Sequence, residues 1–188
     1  PEGLYNIDED PHETNNLVND ISYNETLLDL RSKLNDHLIS INDLSFLPEP
    51  HLLENGINDI VGYSEKNKDL IKKLIEISDL QLYDYNEVSS QIKDALTDNN
   101  PWVRYWGLIV CSTFGNQALE NKDKISFIFE NDPENLVRMR AAEFLILNNF
   151  DISDSKINSL LKNSNFEAET NLMLNTLANI KTINPCLL

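Results

Sequence analysis

The chain has few basic residues for its size. Fifteen lysines and arginines stand against 31 aspartates and glutamates in 188 residues, which gives a net charge of −16. Such a surface repels phosphate backbones and anionic lipids, and the only dense basic cluster is Arg138-Met139-Arg140. The sequence also has no apolar run long enough to span a bilayer. We therefore predict neither a nucleic-acid partner nor a membrane partner.

Cysteine and histidine are equally scarce. The two cysteines, Cys111 and Cys186, lack the spacing of metal ligands and do not define a redox compartment. Cys111 lies on an apolar helical stripe and is predicted to be a small core residue. Cys186 lies near the end of the sequence, where free and paired states both stay open. The three histidines are scattered: His12 lacks the second histidine of a zinc-protease motif, and His37 is expected at the surface. His51 could reach a neighbouring domain, but a capping or surface role is the prediction.

A calcium loop is also missing. Asp8-Glu9-Asp10 begins like one, but its sixth position is Glu13, where glycine is required, and its twelfth is Asn19. A solvated acidic turn is the prediction. The sequence therefore offers no metal ligands and no catalytic residues.

What the sequence does contain is helical periodicity. Hydrophobic residues make up 41% of the chain, enough for a core. The segment from Tyr23 to Ile41 repeats leucine and isoleucine at helical spacing, and Ser22 or Asn24 could cap it. A proline pair at Pro48 and Pro50 then ends the pattern. Shorter helices are predicted at His51–Gly56, stopped by the glycine, and at Lys68–Ser78.

From about Tyr85 onward the chain repeats itself. Pro101-Trp102-Val103-Arg104 matches Asn135-Leu136-Val137-Arg138, with an offset of 34 residues between Val103 and Val137. Small residues follow three places after each arginine, at Gly107 and Ala141, where they let helices approach closely. Each copy is predicted to hold two helices joined by a turn rich in Asp and Asn, and a third copy is degenerate. The predicted first helices are Val88–Thr97, Lys124–Phe129 and Ser155–Leu161, and Glu169–Ile180 is the second helix of the last copy.

These helix pairs resemble HEAT repeats, because an Asp, Pro and Val-Arg recur in order in each clear copy. The repeat is shorter than the roughly 40–47 residues of many HEAT units, and its length would fit a tetratricopeptide repeat. However, the tetratricopeptide Trp, Leu-Gly and Tyr pattern is absent. The resemblance implies a mostly α fold in which stacked helix pairs bury a shared core.

The first residues carry a second resemblance. Leu4-Tyr5-Asn6-Ile7, then Asp10-Pro11, Glu13 and Asn16-Leu17 resemble the C-terminal subdomain of bacterial formylglycine-dependent sulfatases. The later Leu47-Pro48-Glu49 matches a segment that follows the helix of that subdomain. The resemblance implies a short extended piece, a turn and a helix, placed near the end of a larger enzyme. Together the two resemblances imply a bacterial sulfatase of the subset in which HEAT-like repeats directly follow the C-terminal subdomain.

The chemistry of such an enzyme is not encoded in these residues. The family needs Cys or Ser, any residue, Pro, any residue, Arg, because that Cys or Ser is oxidised to the formylglycine nucleophile, and a calcium ion polarises the sulfate. No such motif occurs here. The resemblance thus implies a catalytic domain upstream in the same polypeptide, and by analogy a periplasmic or extracellular location.

One aromatic cluster is the best candidate for ligand contact. Trp102, Arg104, Tyr105 and Trp106 could form a sugar-stacking or docking patch. The alternative is that Trp106 packs in the repeat core and Trp102 covers a helix junction, which is more common for aromatics at helical spacing. Arg104 and Arg138 would then bond an Asp or a carbonyl of a neighbouring turn, with Asp98 and Asp132 as candidates.

We therefore predict three segments: a sulfatase-like subdomain tail at 1–48, a helical connector at 49–84 and HEAT-like repeats at 85–188. The predicted role is the non-catalytic C-terminal portion of an enzyme that cleaves sulfate esters, such as those of glycans. In that role the chain would brace the catalytic domain or mediate assembly. The alternative is a standalone acidic scaffold that binds a protein partner through a helical face.

Overall fold

The protein was studied as a computed structural model, which describes residues 2–164 and 166–183. Over these ranges the chain is mostly helical and contains no strand. It divides into two compact units, Pro1–Asp43 and Leu44–Leu188, so the predicted connector and repeat segments lie within one unit. None of the helices in the described ranges combines the length and the hydropathy needed to cross a bilayer.

The first unit contains a hydrogen-bonded loop followed by one helix, α1 (Asn24–Ser40). The helix was predicted at Tyr23–Ile41, and the structure confirms it. Its capping differs from the prediction: a 3-10 turn, Ile21–Tyr23, precedes it, and Asp20 accepts a hydrogen bond from the Ser22 amide. The segment expected to be extended, Leu4–Ile7, is assigned no strand.

The described residues of the second unit form nine α-helices joined by turns and loops. They are α2 (Glu49–Asn55), α3 (Ile60–Lys66), α4 (Lys68–Ser78), α5 (Tyr85–Thr97), α6 (Pro101–Phe114), α7 (Lys122–Asn131), α8 (Asn135–Leu147), α9 (Asp154–Lys162) and α10 (Glu167–Ile183). Short 3-10 turns lie at Leu44–Phe46, Asp79–Leu82 and Gly115–Asn121. The predicted helices all form within a few residues of the expected bounds, whereas α3 was missed.

Most helices of this unit pack along a row of four helices. Helices α4, α6, α8 and α10 contact one another in that order. Helix α5 packs on α6, α7 packs on α8, and α9 also packs on α8. A single hydrophobic cluster runs through the unit, and it includes the fully buried Leu108, Met139 and Phe144. The contacts between these helices bury this cluster and form the core.

Gly107 allows a close approach between two of these helices. A Cβ built at this position would lie 3.1 Å from the Cβ of Ala95 on α5. That separation is below an ordinary van der Waals contact, so a larger residue would push α5 and α6 apart. The prediction that a small residue at this repeat position brings helices together is confirmed for Gly107.

Candidate functional site

The aromatic cluster sits on the first turns of α6. Asn100 caps this helix, because its side-chain oxygen accepts a hydrogen bond from the Trp102 amide at 2.9 Å. Pro101 occupies the first helical position, where its missing N–H leaves no partner unsatisfied. The rigid start of α6 therefore directs Trp102, Arg104, Tyr105 and Trp106 to fixed places in the second unit.

The Trp102 ring is covered by protein. Only 5% of the residue is exposed, and the ring centroid lies 4.6 Å from that of His51 and 6.3 Å from that of Tyr105. Trp106 donates from its indole nitrogen to the Phe46 carbonyl at 2.7 Å, and its ring packs on that of Phe46. These rings therefore join α6 to α2 and to the 3-10 turn before it, and the Trp102 ring is buried in that contact.

The hydrogen-bond partners of His51 favour one tautomer of its neutral ring. Its Nε2 lies 2.7 Å from the Tyr63 hydroxyl, and the Asn55 amide donates to its Nδ1 at 3.2 Å. With Nδ1 as acceptor, the proton of the neutral imidazole is on Nε2, which donates to Tyr63. Burial lowers the pKa of His51, because the charged form loses its hydration. The expectation of a surface role for His51 missed this half-buried contact.

Tyr105 carries the second polar group of the cluster. Its hydroxyl accepts a hydrogen bond from Arg140 Nη2 at 2.8 Å, and only 7% of the residue is exposed. Arg140 also donates from Nη1 to Glu143 at 2.8 Å. The guanidinium group therefore links α6 to α8, and the predicted basic cluster at Arg138–Arg140 is engaged in internal contacts.

Arg104 makes the contacts predicted from its repeat position. Its Nε and Nη2 donate to the two carboxylate oxygens of Asp132 at 2.6 and 2.8 Å, and its Nη1 donates to the Asp98 carbonyl at 2.8 Å. Arg138 occupies the same position in the next copy and donates to the Phe129 carbonyl at 2.8 Å. Arg104 thus fastens the turn between α5 and α6 and pairs with Asp132 after α7, whereas Arg138 bonds the last turn of α7; both roles are structural.

A small acidic cavity lies beside the cluster. It has a volume of about 80 Å³ and is lined by His51 and Trp102 together with Glu54, Glu134 and Glu169. Burial raises the pKa of Glu134, and the neighbouring carboxylates of Glu169, Asp132 and Glu54 act in the same direction. Within residues 2–164 and 166–183, no group of His, Cys, Asp or Glu is arranged to hold a metal ion. The carboxylates around the cavity therefore repel one another and disfavour ionisation of Glu134.

Cys111 has no catalytic environment. The residue is fully buried and its thiol is free. Burial raises the pKa of this thiol to about 12, so the thiolate nucleophile does not form near neutral pH. The prediction of a small core cysteine is confirmed. Cys186 lies outside the described residues.

Sequence reasoning grouped Trp102, Arg104, Tyr105 and Trp106 on one helix but missed the side chains that contact them. His51 packs against Trp102 and bonds Tyr63, which lies on α3, a helix whose sequence shows no strong periodicity. The Tyr105–Arg140 bond joins residues 35 positions apart. The repeat offset of 34 residues could have predicted this contact, because residues about one repeat apart lie on corresponding helices of neighbouring copies.

Comparison of the chain with protein-family models, curated proteins and solved structures gave no match.

Proposed function

We propose that this chain is the non-catalytic C-terminal portion of a bacterial sulfatase-like hydrolase. Residues 1–48 would contribute to the small C-terminal subdomain of the enzyme, and the later helices would form a HEAT-like array that braces the catalytic domain. The sequence resemblance motivates the proposal. The main structural support is the first unit, which buries very little of its own apolar surface.

Helix α1 exposes the face that its sequence pattern assigns to a core. Leu27 is the one hydrophobic residue of positions 2–43 that is buried, at 8% exposure. Leu30, Leu34 and Ile41 share its stripe, and they are 46%, 58% and 53% exposed. Because an amphipathic helix gains most of its stability by burying this stripe, a further surface that covers it is expected. A preceding catalytic domain would supply that surface.

The loop before α1 is nevertheless well defined. The Leu17 amide donates to the Leu4 carbonyl at 2.8 Å. The side-chain oxygen of Asn16 accepts a hydrogen bond from the Leu4 amide at 3.0 Å, so the two ends of the loop are joined twice. Asp10 accepts from the Asn15 amide at 2.7 Å and from the Thr14 hydroxyl at 3.0 Å. The residues that carry the sulfatase resemblance therefore hold the loop closed, so a structural motif is the simplest account of them.

The reaction itself would belong to the upstream domain. This sequence has no Cys or Ser in the setting that formylglycine requires, and the described residues contain no metal-binding group. Neither formylglycine nor calcium therefore fits the residues present here, and no catalytic step is assigned to them. A periplasmic or extracellular location follows by analogy with such enzymes.

The decisive experiment is the mass of the native gene product. An antibody raised against this chain would be used on extract of the source cells, and the captured band would be digested and sequenced by mass spectrometry. The proposal predicts a product several-fold heavier than 21.6 kDa. It also predicts a peptide containing Cys or Ser, any residue, Pro, any residue, Arg. A product of about this chain's own mass would overturn the proposal.

The second candidate is a standalone acidic scaffold for a protein partner. The layered stacking of α4, α6, α8 and α10 favours it, because such arrays present long helical surfaces to partners. The net charge of −16 suits a basic partner. A product of this chain's own mass would select this candidate, and sedimentation of the purified chain would then separate a hetero-partner from self-association.

A further inference from the structure

A groove between α4 and α5 has the character of a peptide-binding surface. It has a volume of about 250 Å³, and its apolar floor is formed by Ile77, Leu80, Ala95 and Val103. Ile77, Ala95 and Val103 belong to the buried core, so the floor is held by packing from below. The groove therefore keeps its shape without a ligand and has room for a branched aliphatic side chain.

The rim of the groove is acidic. Glu76, Asp94 and Asp98 stand on it with a single cation, Lys73. Lys73 is bonded to Asp98 at 2.5 Å, and Lys72 lies 3.8 Å from Glu76. Within the described ranges Asp94 has no ion pair. The rim therefore presents net negative charge around an apolar centre.

We propose that this groove binds a segment of a partner protein that places one aliphatic side chain on the floor and basic residues against the rim. Charge complementarity selects such a segment, because lysine or arginine would meet Asp94 and Glu76 at the edge. A second copy of this chain is a poor occupant, since its own charge is −16. The groove lies wholly in the second unit, so the proposal holds whether or not the chain belongs to a larger enzyme.

The test uses a defined probe. A fluorescein-labelled peptide with a central leucine and two arginines on each side would be titrated with the full chain, and binding would be read by fluorescence anisotropy. Two matched peptides would replace the leucine by serine or all four arginines by glutamine. Loss of the leucine is expected to weaken binding about tenfold or more, because its burial drives the contact. Loss of the arginines is expected to weaken binding and to remove its dependence on salt.

Matched protein variants locate the contact. Asp94→Lys reverses an exposed charge on the rim and is expected to weaken binding of the leucine-arginine peptide several-fold. Asp36→Lys makes the same charge change on an exposed position of α1 that does not line the groove, and it is expected to leave the affinity unchanged. Circular dichroism would show that both variants retain the helical fold.

Each outcome decides the proposal. Selective weakening by Asp94→Lys together with the leucine dependence would support it. Equal weakening by Asp94→Lys and Asp36→Lys would show unspecific attraction to an acidic protein and overturn it. Absence of measurable binding by the leucine-arginine peptide, or equal binding by the serine peptide, would also overturn it.

Discussion

The guanidinium group of Arg104 and the carboxylate of Asp132 form a two-point ion pair between consecutive helix pairs. Their two N···O distances are 2.6 and 2.8 Å, and the side chains are only 12% and 4% exposed. The same guanidinium also bonds the Asp98 and Asn99 carbonyls in the preceding turn. One side chain thus connects two turns that the sequence separates by about a repeat.

Replacing this arginine should destabilise the second unit strongly. Arg104→Met leaves the Asp132 carboxylate, which is only 4% exposed, without its charged partner. Breaking such a pair is expected to lower the free energy of unfolding by about 3 kcal/mol. Arg104→Lys keeps the charge but loses the forked geometry, so an intermediate loss is expected. The free energy of unfolding in urea, followed by circular dichroism, measures both.

A matched exposed pair provides the control. Lys156 lies 2.5 Å from Glu130, but these side chains are 52% and 46% exposed. Lys156→Met should therefore cost less than about 1 kcal/mol. Equal effects of Arg104→Met and Lys156→Met would contradict the structural role assigned to Arg104.

His51 should make the stability of the second unit sensitive to mild acid. Its pKa is lowered in the folded state by burial, whereas the unfolded chain titrates near the ordinary value of about 6.5. The unfolded state therefore binds the proton more readily, and stability is lost as pH falls below about 6.5 towards the lowered pKa. Above this window the contribution is fully present.

The measurement is the pH dependence of unfolding for the native chain and for His51→Gln. The difference between the two should be constant above pH 7 and should change below about pH 6.5. A proton NMR titration, with the His51 signal assigned by its loss in His51→Gln, gives the pKa directly. A measured pKa above 6.5 would rule out the dominance of burial at this site.

Local periodicity was sufficient to predict most of the helices, although not α3, and it did not predict what covers them. Lys68–Ser78 follows from its apolar spacing, and α5 begins at Tyr85, close to its predicted start at Val88. The exposure of Leu30 and Leu34 could not be foreseen, because the stripe on α1 looks the same whether or not a partner surface is present. Likewise, His51 was expected at the surface, since its neighbours Tyr63 and Trp102 approach only after three helices have packed.

Glu134 should lower the stability of the protein at neutral pH. Its pKa is raised by burial and then by Glu169, Asp132 and Glu54, so the folded state disfavours the charged form. This penalty is absent at low pH and develops as pH rises above the ordinary pKa of the carboxyl group. Glu134→Gln is therefore expected to raise the free energy of unfolding at pH 7, with the gain shrinking as pH falls towards 4.

The control for that gain is Glu87→Gln on the exposed first turn of α5. A carboxylate there interacts favourably with the helix dipole, so its removal should slightly destabilise the protein. Opposite signs for the two variants are the expected result. A loss of stability in Glu134→Gln would show that its carboxylate has a favourable partner.

Cys111 should not react with thiol reagents until the chain unfolds. Full burial and a thiol pKa of about 12 both prevent attack by a disulfide reagent. The test is performed on Cys186→Ser, so that Cys111 is the remaining cysteine, with Ellman's reagent at pH 8 in buffer and in urea. Reaction is expected in urea alone, and rapid reaction in buffer would contradict the burial of this residue.

Helix α1 should be much less protected from hydrogen exchange than α6 and α8 in the isolated chain. Its stripe residues Leu30 and Leu34 are about half exposed, whereas Leu108 of α6 is fully buried.

Two substitutions test the same difference. Leu34→Gln keeps helix propensity and should leave the unfolding free energy of the second unit unchanged, whereas Leu108→Ala should lower it by about 2–5 kcal/mol. In a heavier native product, the same α1 amides should become protected, because the upstream domain would cover the stripe. Protection of α1 equal to that of α8 in the isolated chain would show that the helix needs no further surface, and the argument for an upstream domain would lose its structural support.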